Sequence, residues 1–463
     1  MKKKILMSRQ YPKTKNMTIE NSLLKKMRQD AVDIFNEGLG AVDPKTCIHR
    51  CCRLKRNVFT VNNRAYDLNK FERIIVLGAG KAGASMANAM EKILQNRITA
   101  GIVIVKYKHV ENLKRITMVE AGHPVPDANS VAGAEKLLKM AQKADENTLV
   151  ICLISGGGSA LMTLPAHGLT LEDKQKTTEV LLGCGATIHG INTIRKHLSR
   201  IKGGLLAKAV YPAPVICLVL SDVVGDDLDI IASGPAVPDR GTFEQCLKII
   251  ETHGIKDCLP STVLQYLKKG SQGLIPETPK QGHPVFENIF HTIIASNINA
   301  LLSAEKKAGD LKYHTQILSS MIEGQTIDVA TVHTAIAKEI LATGHPLKPP
   351  ACILSGGETT VTMKGNGKGG RNQEFALACA LKIKGLEHVV ILSAGTDGTD
   401  GPTDAAGAIA DHTTIQRAVA QGLTPEQFLN ENNAYPFFDH ISDLFKTGPT
   451  NTNVMDLRII LIR

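Results

Sequence analysis

Apolar runs that end in small polar turns, and that alternate with amphipathic stretches, leave this chain little choice of fold. Residues 73–77 run into Gly78-Ala79-Gly80-Lys81-Ala82-Gly83, and residues 149–154 into Ser155-Gly156-Gly157-Gly158-Ser159. Residues 214–220 lead to Ser221-Asp222-Val223-Val224-Gly225-Asp226-Asp227, and residues 351–354 to Ser355-Gly356-Gly357-Glu358-Thr359-Thr360. Residues 101–105 and 389–392 are further runs of this kind. Continuous apolar runs of this length are strands covered on both faces, as in parallel sheets flanked by helices. Residues 21–36, with Leu23, Leu24, Met27, Ala31 and Ile34 on one side, and residues 84–95 read as helices. The pattern predicts an α/β fold whose N-terminal part is a Rossmann-like, mainly parallel sheet. Ligands of such sheets gather at the carboxyl ends of strands. Any one Gly/Ser/Asp turn is ordinary loop chemistry, but several at successive strand ends point to a site.

At 463 residues the chain exceeds one compact core, so two domains are expected. Residues 272–286, rich in Pro, Gly and Lys, have linker composition, and residues 338–350 carry Gly344, Pro346, Pro349 and Pro350. The expected division is a poorly ordered leader over 1–19, an N-terminal domain over 20–272, a connecting segment over 273–349 packing with the C-terminal part, and a C-terminal α/β domain over 350–463.

Composition narrows the function classes. A net charge of +10 admits nucleic acid or anionic small molecules as partners. Aromatic residues are only 4% with no Trp, which argues against a stacking platform for single strands and hence against a nucleic-acid-binding protein. Ten cysteines without a C-x-x-C pair suit reduced thiols in a cytoplasmic protein; Cys47, Cys51, Cys52 and His49 lack the second pair that a zinc site needs. No apolar run is long enough to span a membrane.

The C-terminal part carries the strongest chemical signal. Lys364-Gly365-Asn366-Gly367-Lys368-Gly369-Gly370-Arg371-Asn372-Gln373-Glu374 sets cations beside glycines whose N–H groups can approach an oxyanion. Ser393-Ala394-Gly395-Thr396-Asp397-Gly398-Thr399-Asp400-Gly401-Pro402 adds hydroxyls and carboxylates of the kind that hold a divalent cation near phosphates. Lys81, at the start of a helix whose dipole already attracts anions, suits a phosphate or carboxylate ligand.

Gly78–Gly83 also matches the dinucleotide fingerprint, but the second strand is followed by Lys106-Tyr107-Lys108 rather than an acidic residue, which would suit NADPH and not NADH. There is no Walker A loop and no protein-kinase signature. Ser155 and Ser159 lack a nucleophile elbow, so their glycine loop reads as a cradle for phosphate or carboxylate. The run from Arg195 to Gly204 fits a solvated charged face as well as an anion site. His123, in Gly122-His123-Pro124-Val125-Pro126-Asp127, is a candidate substrate contact in a rigid loop.

These blocks, in this order from about residue 20 to the C-terminus, resemble the class II glycerate kinases. The resemblance implies two α/β domains with the active site in the cleft between them, and transfer of the γ-phosphoryl group of ATP, with Mg²⁺, to the 2-hydroxyl of D-glycerate. It maps that family's proposed catalytic cation pair onto Lys81 and Arg371. Gly83 departs mildly from the small residue, such as Ala, of many members, and the first sixteen residues have no counterpart. Asp222 is expected to take the hydroxyl proton, with Asp397 as the alternative, and Asp226, Asp397 and Asp400 to hold the metal. The expected substrate- or phosphate-binding residues are Gly78, Gly80, Ser155, Gly156, Gly157, Gly158, Ser159, Arg195, Lys202, Gly357, Glu358, Gly369, Gly370, Asn372 and Thr396. The expected partners are D-glycerate and ATP, with no nucleic acid or membrane, in a monomer or homodimer. Some members have been named hydroxypyruvate reductases, so an NADPH-dependent reductase is the competing reading.

Overall fold

The computed structural model describes the backbone from residue 13 and side chains from Ser22 to Arg463. The leader expected over residues 1–19 lies outside the described residues as far as residue 12; Lys13–Ala41 is a helix. The chain forms two compact units that are not a simple front and back half. One takes Leu39–Ala300 and Pro449–Met455; the other takes the described chain from residue 13 to 38, Leu301–Gly448 and Asp456–Arg463.

In the Leu39–Ala300 unit, β1 (Cys52–Lys55), β2 (Val58–Val61) and β3 (Arg64–Asp67) form a small antiparallel sheet. The main sheet is built from β4 (Arg73–Ala79), β5 (Ala100–Lys106), β6 (Ile116–Ala121), β7 (Thr148–Ile154), β8 (Val215–Leu220) and β9 (Ile289–Ala295). Its spatial order is β6-β5-β4-β7-β8-β9, with every neighbouring pair parallel. The sheet grows one way from β4 and the other way from β7, so β4 and β7 flank the topological switch point, where open sheets of this kind bind ligands. Every residue of β7 and β8 is buried, as expected of strands with helices on both faces. The helix Ala128–Ala141 packs Ala134, Leu137, Leu138 and Ala141 into that core, and a capping box between Asp127 and Ser130 fixes where it starts. The helices Leu171–Gly183, Ile188–His197, Phe243–Thr252 and Ser261–Ser271 close around a second apolar core that includes Leu181, Ile194, Phe243 and Leu267.

The other unit holds a mixed sheet of β10 (His314–Ile322), β11 (Ala351–Gly357), β12 (Val389–Gly395), β13 (Gly407–Asp411), β14 (Leu444–Phe445) and β15 (Asp456–Ile462). Its order is β10-β11-β15-β12-β13-β14. The last strand is central and antiparallel to both β11 and β12, while β10 and β11 are parallel. A mainly parallel arrangement therefore describes only the first unit. The helix Lys13–Ala41 contributes Arg28 to the carboxylates of Asp411 and Asp443, and Asp30 accepts a hydrogen bond of 2.8 Å from the Tyr313 hydroxyl. No helix among the described residues is long and apolar enough to cross a membrane.

One buried group in this unit makes its stability sensitive to acid. His333, 2% exposed on the helix Thr326–Thr343, donates from Nδ1 to the Val329 carbonyl at 2.7 Å, so the neutral ring accepts from Ser355 Oγ at Nε2, 2.8 Å away. Burial pushes its pKa from the ordinary 6.5 down to about 4, with Arg458 adding to the effect against the Val329 hydrogen bond. As pH falls from 7 toward 4 the unfolded chain takes up the proton first, so stability is lost across that window. Between pH 7 and pH 5 the wild type should lose roughly 2 kcal/mol more than His333→Gln. Urea midpoints at the two pH values measure this, and equal losses would contradict it.

Candidate active site

At the switch point the ends of β4 and β7 are bonded to each other. The Ser155 N–H donates to the Ala79 carbonyl (3.1 Å), the Lys81 N–H to the Gly156 carbonyl (2.8 Å) and the Ala82 N–H to Ser155 Oγ (3.1 Å). A Cβ on Gly78 would stand 2.6 Å from the Leu153 carbonyl oxygen, and one on Gly80, where φ is 142°, would overlap Ser155 Oγ. Gly78 and Gly80, expected to hold phosphate, are thus required for the approach of two strand ends, and Ser155, 1% exposed, is the tie between them. Gly80→Ala should cost roughly 2 kcal/mol or more of stability, because the strained φ and the clash act together. An unchanged urea midpoint would show that the loops can separate.

The loop after β7 gathers side chains from three other strand ends. A Cβ on Gly157 would lie 2.8 Å from the His123 ring and 3.3 Å from Lys81 Cγ, and one on Gly156 would overlap the Asp222 carboxylate. Lys81 follows β4, His123 follows β6 and Asp222 follows β8, so four strand ends of the parallel sheet converge on Gly156-Gly157. Asp222 Oδ2 also accepts from Asn453 Nδ2 at 3.3 Å, a residue of the returning segment Pro449–Met455. Farther along the loop, Ser159 Oγ lies 2.9 Å from Ser233 Oγ, and its carbonyl accepts from Lys202 Nζ at 2.8 Å. A Cβ on Gly158 would stand 2.9 Å from that of Ala232, so this glycine too serves packing. Arg195 stands with Lys202 on the wall of a cavity beside Ser159.

In the other unit Arg371 begins the helix Arg371–Lys382. Its Nε and Nη2 donate to the two oxygens of Asp456 at 2.7 and 3.0 Å, and Nη1 lies 2.8 Å from Glu358. Burial by itself would lower the Arg371 pKa, but the Asp456 carboxylate outweighs it and the guanidinium holds its proton more firmly than usual. Asp456 is fully buried and also accepts from Asn372 Nδ2 (2.8 Å) and Arg458 Nη2 (3.2 Å). Asn372 in turn accepts from Ser393 Oγ at 2.7 Å, so it positions the network. Gly367, Gly369, Gly370 and Glu374 border a cavity of ≈ 310 Å³ with Arg371.

Asp400, one of the expected metal ligands, is buried at the start of the helix Arg371–Lys382. Its oxygens accept from the Asn372 and Gln373 N–H groups at 3.1 and 2.8 Å, anchoring the helix start, and burial pushes its pKa up to about 7. A Cβ on Gly370 would overlap that carboxylate, which explains the glycine. Gly357, with φ 117°, lies against the Ile322 backbone. Asp397 Oδ1 accepts from the Thr399 N–H and hydroxyl, each at 3.0 Å, and Thr396 beside it is fully buried. Asp226 sits in the turn Val224–Asp226 after β8, at φ 56°.

Two family matches cover most of the chain. Residues 30–268 match a domain of unknown function, DUF4147, and residues 351–456 match the MOFRL family. The chain is 40% identical to the glycerate 2-kinase of Pyrococcus horikoshii, over 94% of this chain and 97% of that protein. The chain belongs to the glycerate kinase family. The crystal structure of a glycerate kinase from Thermotoga maritima superimposes with a TM-score of 0.83 at 39% identity, covering 95% of this chain and all of that one. A protein of Agrobacterium vitis that carries a provisional hydroxypyruvate reductase name is also 40% identical, over 94% of each chain.

Within this glycerate kinase fold, Asn453, Lys174, Asp456 and Arg458 are residues that sequence reading passed over. Asp456 and Arg458 had a signal: two charges alternate into Leu457 and the apolar run to Ile462, where a buried strand pays for charge only if it is paired. Asn453 had none, since nothing local tells that the segment before β15 returns to the first unit.

Proposed function

We propose that this chain is a glycerate 2-kinase, transferring the γ-phosphoryl group of ATP to the 2-hydroxyl of D-glycerate and giving 2-phosphoglycerate. The observation that carries the reading is the convergence of Lys81, His123 and Asp222 on the Gly156-Gly157 backbone, within a chain whose kinase relatives span its length. Phosphoryl transfer asks little covalent work of a protein; it asks for alignment and for neutralisation of charge on the migrating group. Lys81 supplies a cation, and Asp222, steadied by Asn453, accepts the hydroxyl proton as the oxygen attacks. Arg371, held charged by Asp456 and Glu358, supplies the second cation.

Magnesium fits the residues present. Mg²⁺ is commonly bound through one or two carboxylates and the nucleotide's own phosphates, and the turns after β8 and β12 carry carboxylates. Asp226 and Asp397 are the candidate carboxylates for it, Asp400 already accepting two backbone hydrogen bonds at the start of its helix. Bound there, Mg²⁺ would offset charge on the phosphate oxygens. The free cysteines suit the reducing cytoplasm, where we place the protein.

The Agrobacterium vitis relative favours a reductase reading, and the dinucleotide turn weighs against it. The N–H groups of Gly80, Lys81, Ala82 and Gly83 bond to Ile104 O, Gly156 O, Ser155 Oγ and Gly80 O. A pyrophosphate would find that cradle already occupied by protein. Two assays run in parallel separate the readings: ADP release with ATP, Mg²⁺ and D-glycerate, and NADPH oxidation with hydroxypyruvate. Release of ADP only in the presence of D-glycerate supports the kinase, and NADPH oxidation without ADP release overturns it.

A further inference from the structure

A larger cavity, of ≈ 620 Å³, opens beside the Ser155–Ser159 loop, with Lys174, Arg195 and Lys202 on its wall. Lys174 and Lys202 are 7% and 1% exposed, and Arg195 is partly buried. Lys174 Nζ donates to the carbonyls of Leu198 (2.9 Å) and Arg195 (3.4 Å), and Lys202 Nζ to that of Ser159 (2.8 Å). These acceptors are neutral. Among the described residues none of the three cations has a carboxylate within ion-pair distance. Lys196, next to Arg195 on the same helix, shows how this fold treats a buried cation that belongs to the structure: it is paired with Asp229 and Asp239. Burial, reinforced by the neighbouring Arg195, draws the Lys174 pKa down to about 7. Lys202 is shifted in the same direction by the same causes, with Lys174 adding. Three cations left without counter-charge on one cavity are a cost to folding that an anion from outside would offset.

We propose that this cavity seats the phosphoryl donor, a nucleoside triphosphate, with its polyphosphate on Lys174, Arg195 and Lys202 and its base and ribose against Pro124, Val125, Pro126 and Leu182. The inference rests on the kinase reading and adds which residues take the donor. A volume of ≈ 620 Å³ suits a nucleotide-sized ligand, whereas a three-carbon acid with one carboxylate needs neither that room nor three cations. The cavity also lies where the donor must end. Ser159, on its wall and bonded to Lys202, is two residues from Gly157, which faces Lys81 and His123. Glu172 and Glu179 stand exposed at the rim and leave the cationic wall unpaired.

Isothermal titration calorimetry at fixed salt, with the non-hydrolysable analogue AMP-PNP and with D-glycerate as separate titrants, tests this on full-length protein. Lys174→Met and Lys202→Met should each weaken AMP-PNP binding about tenfold or more, as loss of a charge-assisted bond does, and leave the Kd for D-glycerate within about twofold. Leu182→Glu, at a position 67% exposed and so safe for folding, should weaken AMP-PNP in the same way by setting a carboxylate at the mouth. Unchanged AMP-PNP affinity in the folded variants overturns the proposal, as does loss of D-glycerate binding in its place. Turnover of the wild type is read separately. A wild type that binds AMP-PNP through these residues but does not phosphorylate glycerate keeps the cavity and refutes the kinase; turnover with AMP-PNP binding indifferent to them does the reverse.

Discussion

Replacing Arg371 with methionine should lower kcat by about 10³- to 10⁵-fold, the range known for a guanidinium that neutralises a migrating phosphoryl group. The protein should stay folded. Asp456, the buried carboxylate that Arg371 grips with Nε and Nη2, keeps Asn372 Nδ2 at 2.8 Å and Arg458 Nη2 at 3.2 Å after the change. Arg371→Lys should recover little of the loss, since an ammonium cannot reproduce two parallel bonds to one carboxylate while Glu358 is held at 2.8 Å from a third nitrogen. Because the interaction is realised in the transition state, kcat and kcat/KM should fall together. Steady-state kinetics beside a far-UV spectrum tests this. A folded Arg371→Met enzyme of near-normal kcat removes Arg371 from the chemistry.

Lys81→Met should lower kcat by about 10²- to 10³-fold, as loss of one pre-positioned donor at the developing charge does. The backbone around it has no reason to move: the Lys81 N–H bonds to the Gly156 carbonyl at 2.8 Å whatever the side chain, and Ser155 still ties the two strand ends. The loss should appear in kcat, with stability close to wild type. A variant that keeps its turnover refutes the role given to Lys81, and one whose loss lies wholly in the KM for glycerate makes it a binding residue.

The parallel sheet is legible in the sequence because β4, β5, β7 and β8 are continuous apolar runs, and such runs have few other homes. Their tips were legible for the same reason: glycine, serine and aspartate directly after a buried strand have only the loop to occupy. The sequence could not separate glycines that serve a ligand from glycines that serve packing. Gly78 and Gly80 match a phosphate fingerprint by spacing, yet they are small because Leu153 and Ser155 come too close for a side chain. The two backbone hydrogen bonds that Asp400 accepts are likewise a long-range fact. The central place of β15 was hidden similarly, since an antiparallel partner for β11 and β12 is fixed by pairing and not by composition. Lys174 was passed over because a lysine on an amphipathic helix reads as solvated until its burial is known.

Phosphorus-31 NMR of the product formed from ATP, Mg²⁺ and D-glycerate bears most directly on the central claim. The expected spectrum shows ADP appearing in step with one phosphomonoester that is coupled to the proton on C2 of glycerate. A phosphomonoester coupled to the C3 methylene would contradict the assigned hydroxyl, and ATP that stays intact in the presence of glycerate would contradict the kinase itself.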